Sequence, residues 1–191
     1  MPDIILHHYA LSPYSQKIRS LLGYKGAAWR SAVVPMVPPR PELVAMTGGI
    51  RRIPVLQIGA DIICDSNLAL RVIDQMFPAP KLAPSPFDHA VAHLWEPRQM
   101  IYLGTIRFRN RADIASGFSS EDEMKAFRAD RAPFMAPATD ISKSPEFAPS
   151  ALAHIRQQAQ WTEDQLASRD FLGGAAPAHA DFSGFHGFWW L

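Results

Sequence analysis

The chain has 191 residues, 48% of them hydrophobic and 19% charged, with a formal net charge of +1. That length and apolar content suffice for one large domain or two small ones, each with a buried core. The near-neutral balance excludes an acidic tail or a nucleic-acid binder recognisable by bulk charge. A single cysteine, Cys64, excludes an intrachain disulfide framework and Cys-rich metal sites, and it fits a reducing compartment. The N-terminal residues show no basic region ahead of their short apolar run, so no signal peptide is expected. No stretch approaches ~18 uninterrupted apolar residues, so no membrane span is expected either. These features point to a soluble, cytoplasmic globular protein.

Taken in order, Asp3 to His8 is an apolar run suited to a buried strand. Ser12-Pro13 then opens a helix, with serine as N-cap and proline at the first helical position. Ile18, Leu21 and Leu22 share one face of that helix, and Gly23 or Gly26 offers its stop. Trp29 to Val34 reads as a second strand halted by Pro35. Four prolines at 35, 38, 39 and 41 lead to a short helix over Glu42 to Met46, ended by Gly48-Gly49. Pro54 to Ile58 and Ile62 to Cys64 form a hairpin around Gly59-Ala60-Asp61. Asp65-Ser66-Asn67 caps a further helix that presents Leu68, Leu70, Val72, Ile73 and Met76. The order β-α-β-α-β-β-α predicts a small sheet covered by helices.

Four prolines between Phe77 and Pro86 mark a linker. Beyond it no strand pair is expected. Phe87 to about Phe108 reads as a long helix kinked at Pro97. Ser119 to Glu123 starts another, running to Pro133. Residues 133–149 are broken by proline, Ser150 to Ser168 is helical, and a last helix begins near Ala178.

Three features of the first part can carry chemistry. Ser12-Pro13-Tyr14-Ser15 places a hydroxyl beside the free N–H groups and positive end of a helix, where a thiolate or phosphate is stabilised; a plain N-cap is the bland alternative. Ile53-Pro54 opens a strand; a cis bond would free the Ile53 backbone to pair with an extended ligand, although an ordinary edge proline is the commoner case. Asp65-Ser66 stands at a helix start able to hold a carboxylate, with Asp65 able to receive an ammonium group, or else merely to cap.

Together these motifs resemble the glutathione transferase family across residues 3–76. The resemblance implies an α/β thioredoxin-like N-terminal domain followed by an all-α domain: residues 1–77, a linker at 78–86, and a helical domain at 87–191. Ser12-Pro13-Tyr14-Ser15 stands where glutaredoxins carry Cys-Pro-Tyr-Cys, so dithiol exchange is unavailable. By the resemblance Ser12 donates a hydrogen bond to the glutathione sulfur. Ile53 and Pro54 match the residue-plus-cis-proline that pairs with the cysteinyl unit. Asp65 and Ser66 match the acidic-Ser pair that grips the γ-glutamyl end. Tyr9 is a rival sulfur-stabilising hydroxyl, and Arg40, Arg51 and Arg52 are all eligible for the glycine carboxylate. Glutathione is thus the implied cosubstrate, an electrophilic small molecule its partner, and a homodimer the implied assembly; no metal, nucleic acid or membrane is called for.

In the helical part, Pro177-Ala178-His179-Ala180-Asp181 resembles the family's capping box. The family prefers Ser or Thr where this chain has Ala178, a missing cap worth ~1 kcal/mol. The final segment, ending Trp189-Trp190-Leu191, would expose apolar surface and suggests an incomplete helical domain.

The second substrate is expected near Tyr14, with Trp95, Met100, Tyr102 and Phe108 as candidate walls or simply as core. His89 and His93 have metal-ligand spacing but lack a zinc protease's glutamate, and a helix face is the simpler reading. His7 and His8 point to opposite faces of a strand. Arg107, Arg109 and Arg111 form a basic surface cluster, and Cys64 ends an apolar run as a buried thiol. Two rival functions share these residues: a non-catalytic interaction or regulatory module on the same fold, and a glutathione-dependent lyase, isomerase or dehalogenase.

Overall fold

Strict alternation along Ile4–His8 (β1) turns Ile4, Leu6 and His8 inward, as a half-buried strand requires. Around it a computed structural model, which describes residues 3–83, 85–107, 118–135 and 144–191, builds a four-stranded sheet in the order β2-β1-β3-β4. Arg30–Val33 (β2) runs parallel to β1, while Val55–Ile58 (β3) is antiparallel to it and Asp61–Cys64 (β4) antiparallel to β3. The β3–β4 turn uses Gly59 at φ +60°, a conformation that glycine adopts without a Cβ penalty. Pro13–Tyr24 (α1), Pro41–Met46 (α2) and Ser66–Met76 (α3) complete a thioredoxin-like unit. Ile18, Leu21 and Leu22 of α1 and Ala69, Leu70 and Ile73 of α3 close one core over Ile4, Leu6 and Leu56.

The rest of the described chain is helical. Pro86–Ala90 (α4) passes through a π-helical turn, Val91–Trp95, into Glu96–Arg107 (α5). A kink was expected at Pro97; the ladder changes just before it, where the Glu96 N–H reaches back to the Val91 carbonyl. A proline supplies no N–H and clashes with the preceding turn, so widening that turn accommodates it. Glu121–Met135 (α6) follows. Ser144–Leu166 (α7) begins six residues before the expected Ser150 and carries Pro149 inside it. Pro149 lies close to the start of α7, and the one bond its missing N–H forgoes, to the Pro145 carbonyl, is outweighed by the rest of a 23-residue helix. Phe108, Arg109 and Arg111 lie outside the described residues. Among the described residues, no helix is long and apolar enough to cross a membrane.

His179–Trp189 (α8) ties the helical part to the sheet unit. Phe182 enters the first core and meets Tyr24 with ring centroids 6.0 Å apart. Gly187 lets α8 approach α5 closely: a Cβ there would fall 2.0 Å from Gln99 Oε1. The capping box expected at Ala178 is half present, with Asp181 accepting from the Ala178 N–H at 2.8 Å. Ala178 has no side-chain oxygen to return the bond. Asp88 of α4 takes over that duty, accepting the Ala180 N–H at 2.7 Å while also capping Ser85 at the start of its own helix. One buried carboxylate therefore satisfies orphan donors of two helices. Asp88→Ala is expected to cost about 2 kcal/mol in chemical denaturation, with Asp88→Asn recovering part of it; an unchanged midpoint would show these caps to be redundant.

Candidate active site

Ser12 sits between β1 and α1, where the chain must turn from strand to helix. Its N–H closes a turn onto the Tyr9 carbonyl at 3.2 Å, and its Oγ accepts the Ser15 N–H at 3.2 Å as the N-cap of α1. Pro13 occupies the first helical position. Arg19, further along α1, fastens the preceding loop by donating to the Tyr9 and Ala10 carbonyls at 3.3 and 2.8 Å. It also donates to His8 Nδ1 at 2.9 Å. His8 therefore carries its proton on Nε2, facing Ser31 Oγ at 2.8 Å. Burial, then the Arg19 charge, hold the His8 pKa down. The residue carrying the hydroxyl is thus locked from both sides, with 3% of its surface exposed.

A second wall comes from the segment before β3. The Ile53–Pro54 peptide is cis, and the ladder with β1 and β4 begins only at Val55. The backbone N–H and C=O of Ile53 join no hydrogen bond among the described residues. A third wall is the start of α3. Asp65 has φ 121°, a region L-residues rarely occupy and one that costs about 1–3 kcal/mol. That conformation lets its Oδ1 cap both the Asn67 and Leu68 N–H groups at 2.8 Å. Ser66 is buried at the first position of α3, and its side chain has no hydrogen-bond partner among the described residues. Two helix N-termini, those of α1 and α3, and one unpaired backbone stretch are elements whose chemistry suits an anion and an extended peptide.

The three eligible arginines separate. Arg40 is buried and gives its guanidinium to the carbonyls of Pro35, Met36 and Arg51, at 2.6 to 2.7 Å. That use is structural. Arg51 pairs with Asp130 of α6 at 2.9 Å. Arg52 is exposed and has no ion pair among the described residues. Tyr9 accepts a hydrogen bond from Arg131 of α6 at 3.2 Å, so its own proton is free to point elsewhere.

Of the expected wall residues, Met100 belongs to a second core with Leu103, Ile106, Ala151 and Ile155, against which Tyr14 and Tyr102 pack. Tyr102 stacks on His154 with centroids 4.6 Å apart, and Trp95 meets Trp161 edge-on. Core packing accounts for Met100 and Tyr102. Residues that sequence reasoning missed close the Tyr9 side instead: Met36 and Val37 of the β2–α2 connection pack on Met124 and Phe127 of α6. A cavity of about 250 Å³ lined by Trp95, Leu166, Leu172, Phe185 and Phe188 includes one expected wall residue, Trp95, and none of the candidate glutathione-site residues.

Sequence reasoning also missed a buried cluster between α1, α3 and α5. Lys17 Nζ donates to Asn67 Oδ1 at 2.7 Å and to the two Glu96 oxygens at 3.0 and 2.9 Å. Burial lowers the Lys17 pKa and raises that of Glu96, each opposed by the other's charge. The available signal was a lysine in the same helical stripe as Tyr14 and Leu21. Tyr14 is likewise pushed upward, first by burial and then by the Glu96 charge, so its phenol stays protonated.

Residues 6–81 match the family model of the glutathione S-transferase N-terminal domain. A probable glutathione S-transferase of Solanum tuberosum is 29% identical over 96 residues, 50% of this chain and 44% of the relative. The chain spans about half the length of the curated relatives it matches. A GST-like protein from Pseudomonas syringae is 33% identical over 100% of this chain and 58% of its own, with a TM-score of 0.61. A rice glutathione transferase in complex with glutathione shares the fold at 18% identity, over 95% of this chain and 72% of its own, with a TM-score of 0.57. The matched residues are those that carry Ser12, Ile53-Pro54 and Asp65-Ser66, so the chain is similar to the glutathione S-transferase N-terminal domain over residues 6–81.

Proposed function

We propose that the protein is a glutathione transferase whose residues 1–77 bind glutathione, with 78–86 as linker and 87–191 as the helical domain that receives an electrophile. One observation carries this reading: the Ser12 hydroxyl accepts the Ser15 N–H, so its own proton remains to be donated at the positive end of α1. A hydroxyl can do both at once. A thiol is mostly protonated at neutral pH, with a pKa near ~8.5. A hydrogen bond to the charged form together with the helix terminus lowers that value. Bringing the thiol from ~8.5 to ~6.5 takes only ~2.7 kcal/mol, within reach of those two effects. The thiolate then attacks an electrophilic carbon, forming the S–C bond as the leaving group departs, or adds to a conjugated acceptor.

The other residues orient the tripeptide. The free Ile53 N–H and C=O pair with its cysteinyl unit in extended form, Asp65 and Ser66 take the γ-glutamyl end, and the exposed Arg52 takes the glycine carboxylate. A glutathione-bound relative of the same fold supports the ligand. A homodimer in a reducing, cytoplasmic setting completes the reading. Phe87 and Leu94, 61% and 67% exposed, offer it apolar area two helical turns apart.

Calorimetry with glutathione tests the site. Micromolar to low-millimolar affinity is expected, weakened about tenfold by Ser66→Ala, the worth of one hydrogen bond to a charged group. No detectable binding by folded protein overturns the enzyme reading and leaves the non-catalytic one.

A further inference from the structure

Lys17 is 0% exposed and Glu96 2%, the strongest concentration of buried charge among the described residues. Taking two ions out of water costs several kcal/mol each, and apolar residues of like volume often serve stability as well or better. A stabilising role is therefore a weak account of the pair. Its geometry suggests a different one. The three ammonium protons of Lys17 have three acceptors at 2.7 to 3.0 Å, of which one is Asn67 Oδ1. Asn67 follows Ser66 directly, in the first turn of α3, and its own N–H is held by Asp65. Lys17 thus ties the α3 start to α1, one turn after Ser12, and to α5 of the helical part.

We infer that Lys17 and Glu96 are positioning residues, which hold Asn67 so that Ser66 and Asp65 present a fixed cradle to the γ-glutamyl end of glutathione. The inference rests on the glutathione reading above and assigns these two residues a part in it. The charge balance agrees. Asp65 and Glu96 carry one negative charge each and Lys17 one positive, so the corner has a net charge of −1. The Asp65 charge is felt at both Lys17 and Glu96, so the three act as one cluster. A ligand ammonium neutralises it, while Lys17 is engaged internally and cannot compete for the ligand.

The double variant Lys17→Met with Glu96→Gln tests this. It removes both buried ions together, so neither is left uncompensated, and Asp65 keeps the corner at −1. Thermal unfolding is expected to stay near that of the unsubstituted protein. The glutathione Kd by calorimetry is expected to rise about three- to tenfold, because Asn67 has lost its tether. Asn67→Ala, which leaves the ion pair in place, is expected to raise Kd by a similar factor. A double variant that unfolds earlier yet binds glutathione like the parent, with Asn67→Ala also binding normally, overturns the inference in favour of a purely structural pair. If the parent protein itself does not bind glutathione, the site reading and this inference fall together. The parent's own titration separates the two failures.

Discussion

Replacing Ser12 by alanine is expected to lower kcat with a reactive aryl or conjugated electrophile by about ten- to a hundredfold. That range is the worth of one hydrogen bond to a charged sulfur, about 1.5–3 kcal/mol, converted to rate. The same substitution removes the N-cap that Ser12 gives to Ser15, so about 1 kcal/mol of stability is lost with it. The two effects separate by pH. A donor that favours the thiolate holds the pKa of the bound thiol below its free value of ~8.5. Without it the pKa climbs back, so the deficit is deepest near neutrality and shrinks as pH rises past the thiol's own pKa. Thiolate absorbance of bound glutathione, titrated against pH, reads this change directly, whereas a lost cap moves only the unfolding midpoint. Ser12→Thr keeps a hydroxyl and is expected to retain most of the rate. If Ser12→Ala leaves the titration where it was and Tyr9→Phe displaces it, the sulfur is held by Tyr9.

The residues that made this site readable are those whose chemistry is local. Ser12 and Pro13 announce a helix start through their own backbone preferences, and Asp65 caps the N–H groups of Asn67 and Leu68; neither needs a distant partner to be recognised. The order of elements along the first part followed from alternation and from the Gly59 turn, whereas the strand order within the sheet came only with the structure. What stayed hidden is non-local. Lys17 and Glu96 are 79 residues apart, and Asp88 meets Ala180 across 92. No periodicity ties such positions together. The missing cap at Ala178 shows the same limit: the local expectation was a loss, and a carboxylate from another helix repairs it. Arg40, equally eligible as a ligand by residue type, is consumed by carbonyls on both sides of α2, those of Pro35, Met36 and Arg51. Only the folded geometry could assign it.

A second large effect is expected in acid and centres on His186. Its Nδ1 faces the Phe182 carbonyl at 3.2 Å, so Nδ1 carries the proton and Nε2 is a bare lone pair. Nε2 is buried without a hydrogen-bond partner, and the ring packs on Tyr14 with centroids 5.2 Å apart. Burial, and after it the Lys17 charge, depress the His186 pKa from 6.5 to about 3. A depressed folded-state pKa means that the unfolded chain binds the proton first. Stability is therefore untouched above pH 6.5 and falls below it by about 1.4 kcal/mol per pH unit, until the folded state also protonates near pH 3. By pH 4 this amounts to about 3 kcal/mol, a large part of a domain's whole stability. Glu96 acts in the opposite sense, because burial raises its pKa and the folded state then takes that proton more readily. The difference between variants is thus more telling than the slope of the parent. His186→Leu, close in volume and unable to titrate, is expected to lose distinctly less stability between pH 7 and pH 4.5 in urea unfolding. Parallel losses in the two proteins would mean that acid reaches the fold by another group, and that a lone pair sealed against Tyr14 is not where this helix seam yields.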